Sequence, residues 1–456
     1  MAIEKVREYT LQSKDIPLID FSLYKKEQVI NYTQNTTYRI HIDKVYEENK
    51  ALWPKSFLVK ETVTEQQLYR WIQKRKAPKN RQFVENILSS INDDQNPLRY
   101  ADVTQALSVN DAYWITAKDF PQKWADCNLY DHPFNERMAM VAFTGYSVKV
   151  PGIITTPETT SSGALKKCWT RRKGDIYLMK GDDFMPRSDG RTQASLEWYA
   201  AQVAQIMKIP HVDYQLERYT HSDGIQETVS LCKLFTSDKE GYVDAYTYFS
   251  CKGLDMQELD DSDLENQVKM ANIYGPKEYA DMMVFDSLIC NKDRHFANFG
   301  YLVDNDTGRF LRPAPIFDNG RSLLYDASSY DLAHLDEYMQ GAGGQGASLR
   351  FDTQAKLFVE KRHREGLRKL AAFSFENHPT CPLPPKTLQY LTAFVRQRAQ
   401  QVMALYKEKE QEKKRFQQKR HILSPKRIPA SRSNDKESHP LSCLYNEGDE
   451  HESGKC

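Results

Sequence analysis

The chain has 456 residues, a net charge of +1, 27% charged residues and 11% aromatic residues. That length suggests two or three domains with ample cores, and the near-neutral balance excludes a global polyelectrolyte role. No apolar run reaches membrane-spanning length, the opening residues from Ala2 to Lys14 are too charged for a signal peptide, and the 8 cysteines form no Cys-x-x-Cys pair, so a reducing cytoplasm is the expected location.

Two helices are expected early, Thr64 to Lys76 and Arg81 to Ile91, on either side of the turn Ala77-Pro78-Lys79-Asn80. They belong to a small N-terminal domain expected over 1–110. Arg70, Lys74, Arg75, Lys76, Lys79 and Arg81 straddle the turn. Such a cluster is more often the solvated face of a helical pair than a helix-turn-helix-like DNA contact over 64–91. The stretch from Asn110 to Phe134 is rich in aromatic and turn residues and is expected to pack on the unit that follows.

Thr159 to Lys167 is small and polar around Gly163. It reads equally as a flexible surface loop or as a loop whose backbone N–H groups approach an anion. Gly174 to Gly181 reads as a short strand, with Ile176, Leu178 and Lys180 on one face by the period of two. The spacing alone makes Lys180 an edge-strand lysine in water; buried at a strand end, it would need an anion. Thr192 to Ile209 carries an apolar stripe (Leu196, Tyr199, Val203, Ile206, Met207) and is expected to be an amphipathic helix. Glu197 near its start is either a first-turn acid or a partner for Lys180. Glu227 to Phe235 alternates as a strand.

Tyr279, Met282, Met283, Phe285, Leu288 and Ile289 recur at helical spacing just before Asn291-Lys292-Asp293-Arg294-His295-Phe296-Ala297-Asn298-Phe299-Gly300. Phe299, Tyr301 and Val303 then alternate as a strand, Asp304 to Gly308 supplies a turn, and the return segment delivers Ile316-Phe317-Asp318-Asn319-Gly320. Asp293 and Asn298 are thus five positions apart, with Asp318 twenty positions further on. A kinase needs this set: one carboxylate to orient an acceptor hydroxyl, then an amide and a second carboxylate to hold magnesium. Each piece alone is an ordinary loop or turn. Beyond Asp318 a helix pair is expected over Phe351 to Phe375 and a further helix from Leu388 to Tyr406, with Gly341 to Gly346 as a mobile connection. The charged tail 407–456 extends that helix over Glu408 to Lys419, and His421 to Cys456 is expected to be disordered.

Asp-Arg-His-x-x-Asn-x-Gly followed by Phe-Asp-Asn-Gly resembles the catalytic domain of the HipA-like serine/threonine kinases of bacteria, over about Trp114 to Tyr406. The resemblance implies a two-lobed, protein-kinase-like α+β catalytic domain with a largely helical C-lobe, its N-lobe over 111–235 and its C-lobe over 236–406. It makes Asp293 the catalytic base, Asn298 and Asp318 the magnesium ligands, Lys180 the phosphate-binding lysine and His295 a loop member beside the nucleotide. Thr159 to Lys167 resembles the nucleotide-covering loop, a Ser-x-x-Gly-x-x-x-Lys arrangement, with Ser162 and Gly163 at the ligand. Thr160 stands at or near the serine that the family can autophosphorylate. Lys233-Leu234-Phe235 resembles the inter-lobe hinge, with Phe235 and Glu197 completing the ATP site. The implied cofactors are ATP and Mg2+. The implied partners are a protein with a serine or threonine acceptor and a small DNA-binding, antitoxin-like protein, with no membrane. Phosphoinositide kinases share the core motif, so a lipid kinase remains an alternative, as does a non-catalytic ATP-binding or DNA-binding regulator.

Overall fold

Three antiparallel sheets organise the residues that the computed structural model describes, 3–30, 33–60, 62–91, 96–182, 187 and 189–423. The first runs β3-β2-β1-β4, from β1 (Ile3–Ser13), β2 (Ile16–Ile30), β3 (Thr33–Val45) and β4 (Tyr113–Ala117). Its fourth strand lies past residue 110, where the small N-terminal domain was expected to end. β1 to β3 were not among the elements expected from the sequence. Leu18, Ile19, Phe21, Ser22 and Leu23 of β2 are all fully buried, so both faces of that strand are covered there, although Ile19 to Leu23 alternates apolar and polar in the sequence.

The two early helices form as Glu65–Arg75, started by a Thr64/Gln67 capping box, and Val84–Ser90. Two of the six basic residues between them turn inward. Arg75 meets Asp111 at 2.8 Å, and Arg81 is 2% exposed. The cluster is therefore not one basic face.

The second sheet runs β5-β6-β8-β7, from β5 (Lys167–Arg172), β6 (Asp175–Lys180), β7 (Tyr214–Thr220) and β8 (Gln226–Lys233). The β5–β6 register sets Lys167 directly opposite Lys180. The helix Gln193–Met207 begins at a Thr192/Ser195 capping box and buries Leu196, Tyr199, Ala200, Val203 and Ala204. β9 (Glu240–Asp244), β10 (Gly300–Asp304) and β11 (Phe310–Pro313) make the third sheet, in the order β11-β10-β9.

Helices Ala245–Cys251, Leu264–Tyr274, Pro276–Ile289, Phe351–Phe358, Arg364–Leu370 and Pro385–Leu423 build the larger lobe. Pro276–Ile289 is buried from Tyr279 to Ile289 on every side, which makes it the central helix of that lobe. The last helix continues through Glu408 to Lys419, as the sequence suggests; the disorder expected over His421 to Cys456 falls, from residue 424, outside the described residues. Gly341 to Gly346 contains a short 3-10 turn, Ala342–Gly344, with Gly343 and Gly344 buried. Among the described residues no helix is long and apolar enough to cross a membrane.

Two large apolar cores result. One belongs to the helical lobe and includes the inner face of Gln193–Met207. The other joins Leu11, Phe21 and Ile115 of the first sheet to Cys168, Met179, Val229 and Leu231 of the second. A smaller cluster packs Trp114, Trp124 and Leu129 against Trp169 and Ile176, so the aromatic segment beyond residue 110 does cover the second sheet. The architecture is α+β and two-lobed, with a cleft between the second sheet and the helical lobe.

Candidate active site

Arg294 joins the two motif segments. Its guanidinium is fully enclosed and paired with Asp286 of the central helix (Nε–Oδ2 2.9 Å). Its remaining donors reach the carbonyls of Asn298 and Phe317, both at 2.8 Å, and Oδ1 of Asn319 at 2.6 Å. One side chain thereby fastens the loop carrying Asp293 and Asn298 to the segment carrying Asp318. The Asp286 carboxylate also accepts from Asn291 Nδ2 at 3.1 Å, which sets the entry into the loop. Asp286 and Arg294 were not among the sequence candidates. The available signal was an acid inside an otherwise apolar helix, since such a charge is retained only when paired.

Asp293 and Asp318 face one cavity of about 810 Å³ between the lobes. Burial, and then the neighbouring Asp318 charge, hold the Asp293 carboxyl above the ordinary aspartate range. Asp318 goes the other way. Burial disfavours its charge, but the ammonium groups of Lys180 and Lys167 outweigh that and hold its carboxyl well below the usual range. Asp318 sits at φ +57°, a left-handed conformation uncommon for a residue with a Cβ, and Tyr214 Oη accepts its backbone N–H at 3.0 Å.

Lys180 Nζ lies 2.8 Å from both Asp318 Oδ1 and Glu197 Oε1. The other Glu197 oxygen accepts from Ser230 Oγ at 2.6 Å. Burial works against the Lys180 ammonium, yet Asp318 and Glu197 dominate and hold it above the ordinary lysine range. The structure thus brings Lys180 and Glu197 together, and Glu197, only 2% exposed, is more than a first-turn acid.

Lys167, the lysine that closes the Ser-x-x-Gly-x-x-x-Lys arrangement, is a second cation in the cavity. Its Nζ donates to the Ser162 carbonyl at 2.8 Å, and burial followed by the Lys180 charge pushes its pKa down to about 7. Gly163 adopts φ +88°, a conformation that favours glycine, and a Cβ there would displace the Lys167 ammonium, 2.2 Å away, from its present position.

Ser162, Gly163, Phe235 and His295 all line the same cavity. Phe235 packs against Phe317, ring centroids 5.3 Å apart, and against Tyr242 at 5.7 Å. His295 is exposed, and its Nδ1 accepts from Ala297 N at 3.2 Å, which shapes the loop. Asn80, Ser108, Val109 and Asn110, from the N-terminal part of the chain, complete the wall. Nothing in their local sequence marks them, because they reach the cavity only through packing across the fold.

Asn298 and Asp318 suit a hard divalent cation. Asn298 Nδ2 donates to the Asp293 carbonyl at 2.8 Å, which leaves the amide oxygen as the coordinating atom. Asp318 is ionised, and 40% of its side-chain surface opens to the cleft. Two protein oxygens are the number magnesium takes when phosphate and water supply the rest. Among the described residues there is no group of three or more His, Cys, Asp and Glu positioned for a metal.

No family model and no curated relative matches the chain. Solved structures do. A proinflammatory kinase of Helicobacter pylori, CtkA, is 18% identical with a TM-score of 0.42, covering 54% of this chain and 95% of its own. HipA of Shewanella oneidensis MR-1, solved with HipB and operator DNA, is 9% identical with a TM-score of 0.47, covering 87% of this chain and 97% of its own. The chain is similar to these two solved structures over the spans given, and its own geometry is the two-lobed α+β arrangement described above.

Proposed function

We propose that the chain is an ATP- and magnesium-dependent protein kinase of HipA-like type that transfers the γ-phosphoryl group of ATP to a serine or threonine hydroxyl. One observation carries this reading: Lys180, Asp293, Asn298 and Asp318 line a single cleft, with Arg294 holding the segments that bear the last three. Phosphoryl transfer asks a protein mainly for positioning and for neutralisation of phosphate charge.

The chain's own groups divide this work. Lys180, oriented by Glu197, binds phosphate oxygens, and Lys167 adds a second positive charge beneath the covering loop that holds Ser162 and Gly163. Asp293 accepts a hydrogen bond from the acceptor hydroxyl and takes its proton as the new P–O bond forms, while the bond to the ADP oxygen breaks. Phe235, Phe317 and Leu178 offer an apolar slot for the base. Asn298 and Asp318 would hold magnesium, which supplies charge neutralisation across the phosphates. The same reading includes a cytoplasmic setting and a small DNA-binding partner.

The test is incubation of the full chain with Mg-[γ-32P]ATP, a host lysate and, in parallel, lipid acceptors, followed by phosphosite mass spectrometry. Label on protein serine or threonine, lost in Asp293→Ala and Asp318→Ala, supports the proposal. Label on lipid alone, or Mg-ATP binding without turnover, sinks it. Co-purification of a small protein that brings duplex DNA with it tests the partner.

A further inference from the structure

The segment that covers the phosphate end of the cleft does not hold its own shape. Glu158 to Lys167 is mostly polar, contains Gly163, and before β5 begins at Lys167 has only the short 3-10 turn Glu158–Thr160 as regular structure. A segment of this kind loses much backbone freedom on ordering and needs outside partners to be fixed. Thr159 Oγ1 meets Thr104 Oγ1 at 3.2 Å and Thr160 Oγ1 donates to the Leu107 carbonyl at 2.8 Å, but most of the partners come from the turn between the two early helices. Ala77 N donates to the Thr159 carbonyl at 2.7 Å and Gln82 N to the Ala164 carbonyl at 2.8 Å, and Lys166 N donates to Gln82 Oε1 at 3.1 Å.

Arg81 makes the largest share of the contact. Nη1 donates to the carbonyls of Glu158 (2.5 Å) and Ser161 (3.3 Å). Nη2 donates to the Lys167 carbonyl (2.9 Å) and to Glu158 Oε2 (3.0 Å). One planar guanidinium therefore touches the beginning, middle and end of the loop. The other Glu158 oxygen accepts from Trp169 N at 2.8 Å, and Ser161 Oγ accepts from Trp169 Nε1 at 2.6 Å, so the loop is also referenced to β5. Burying an arginine is costly, and its Nε finds no partner here. An apolar residue could fill the same space but could not specify three carbonyl positions at once. Asn80, in the same turn, reaches the cleft itself.

We infer that the turn from Ala77 to Gln82 is the scaffold of the nucleotide-covering loop, and that Arg81 is a positioning residue for phosphate binding, acting through the loop backbone and through Lys167. This makes the N-terminal part of the chain a component of the nucleotide site. The inference rests on the kinase reading for its ligand, while the strap itself is legible without it.

The test uses the full chain, wild type beside Arg81→Lys, Arg81→Met and Gln82→Ala. Amide hydrogen exchange is measured without ligand, and Mg-ADP affinity and Mg-ATP KM and kcat with it. Exchange over 158–167 is expected to rise about tenfold in Arg81→Met while 291–298 stays unchanged, and Mg-ADP affinity and KM to weaken about tenfold, the worth of one or two hydrogen bonds, with kcat little altered. Arg81→Lys should fall between wild type and Arg81→Met. Should Arg81→Met fail to fold, Gln82→Ala, which removes only the acceptor of Lys166 N, must still loosen the loop. Unchanged loop exchange in Gln82→Ala and Arg81→Lys would overturn the inference, as would a loss in kcat at constant KM. A wild-type chain that neither binds nor turns over nucleotide refutes the kinase reading, and the ligand-free exchange then decides the strap on its own.

Discussion

Lys167 shows how a single residue can make ligand binding pH-dependent. With its pKa near 7 it is about half charged at neutral pH in the ligand-free cleft. A polyphosphate favours the ammonium and raises that pKa, so binding must take up a proton at and just above pH 7. Calorimetric titration of Mg-ADP at pH 7.5, in two buffers of different ionisation enthalpy, is expected to show uptake of about half to one proton. Lys167→Met should abolish the uptake; equal heats in both buffers for the wild type would show that the lysine is charged already. In the proposed reaction Asp293 would set the acid limb of turnover. Its carboxyl is held above the ordinary aspartate range, and only the ionised form can accept a proton. Activity should therefore fall as pH drops through that raised value, earlier than a solvent-exposed aspartate would allow. Asp293→Asn keeps the shape and removes the base. It is expected to bind Mg-ADP as the wild type does and to lose about 10²–10⁴ in kcat, checked by single-turnover kinetics.

At the scale of elements, the catalytic loop depends on what lies directly behind it. Asp286 and Arg294 are 1% and 6% exposed, and removing either leaves the other charge buried alone. Asp286→Ala is expected to cost about 3–5 kcal/mol in urea unfolding and to separate Asp293 from Asp318, so turnover is lost even where the fold survives. An unchanged unfolding midpoint would show that the pair does not hold the loop. Gly300 begins β10, two positions after Asn298. A Cβ there would meet the Val243 carbonyl at 2.1 Å and Asp244 Cα at 2.9 Å, both backbone atoms with little room to yield. Gly300→Ala should push β10 from β9, destabilise by about 2–3 kcal/mol and weaken Mg-ATP turnover with it.

At the scale of the whole molecule, the apolar cores do not follow the sequence division near residue 110. Phe21 and Leu11 share a core with Met179 and Leu231 of the sheet that carries Lys180. Phe21→Ala should cost about 3–5 kcal/mol and raise amide exchange in β6 and β8 together with β1 and β2. Protection of β6 and β8 that stayed at the wild-type level would mean that the two sheets open independently.

The residues proposed to carry the chemistry were legible where local physics places them. Asp293, Asn298 and Asp318 sit in a motif whose spacing has a chemical reason, whereas the period placed Lys180 at a strand end and only the family resemblance gave it a phosphate to bind. The stripe Leu196, Tyr199 and Val203 needed nothing beyond a helical repeat and a capping threonine. What tertiary structure alone decided was partnership. Arg75 and Arg81 look like members of one basic cluster in the sequence, yet they are buried against Asp111 and against the loop from Glu158 to Lys167. Arg294 chose Asp286 and two carbonyls, one of them 23 positions away. From Leu18 to Leu23 β2 is covered on both faces, so Ser22 is as buried as Phe21 although the residues alternate polar and apolar. Periodicity and turn chemistry act over a few residues and survive in one dimension. The pairing of a buried charge is settled by which distant segment arrives beside it, and only the packed chain supplies that.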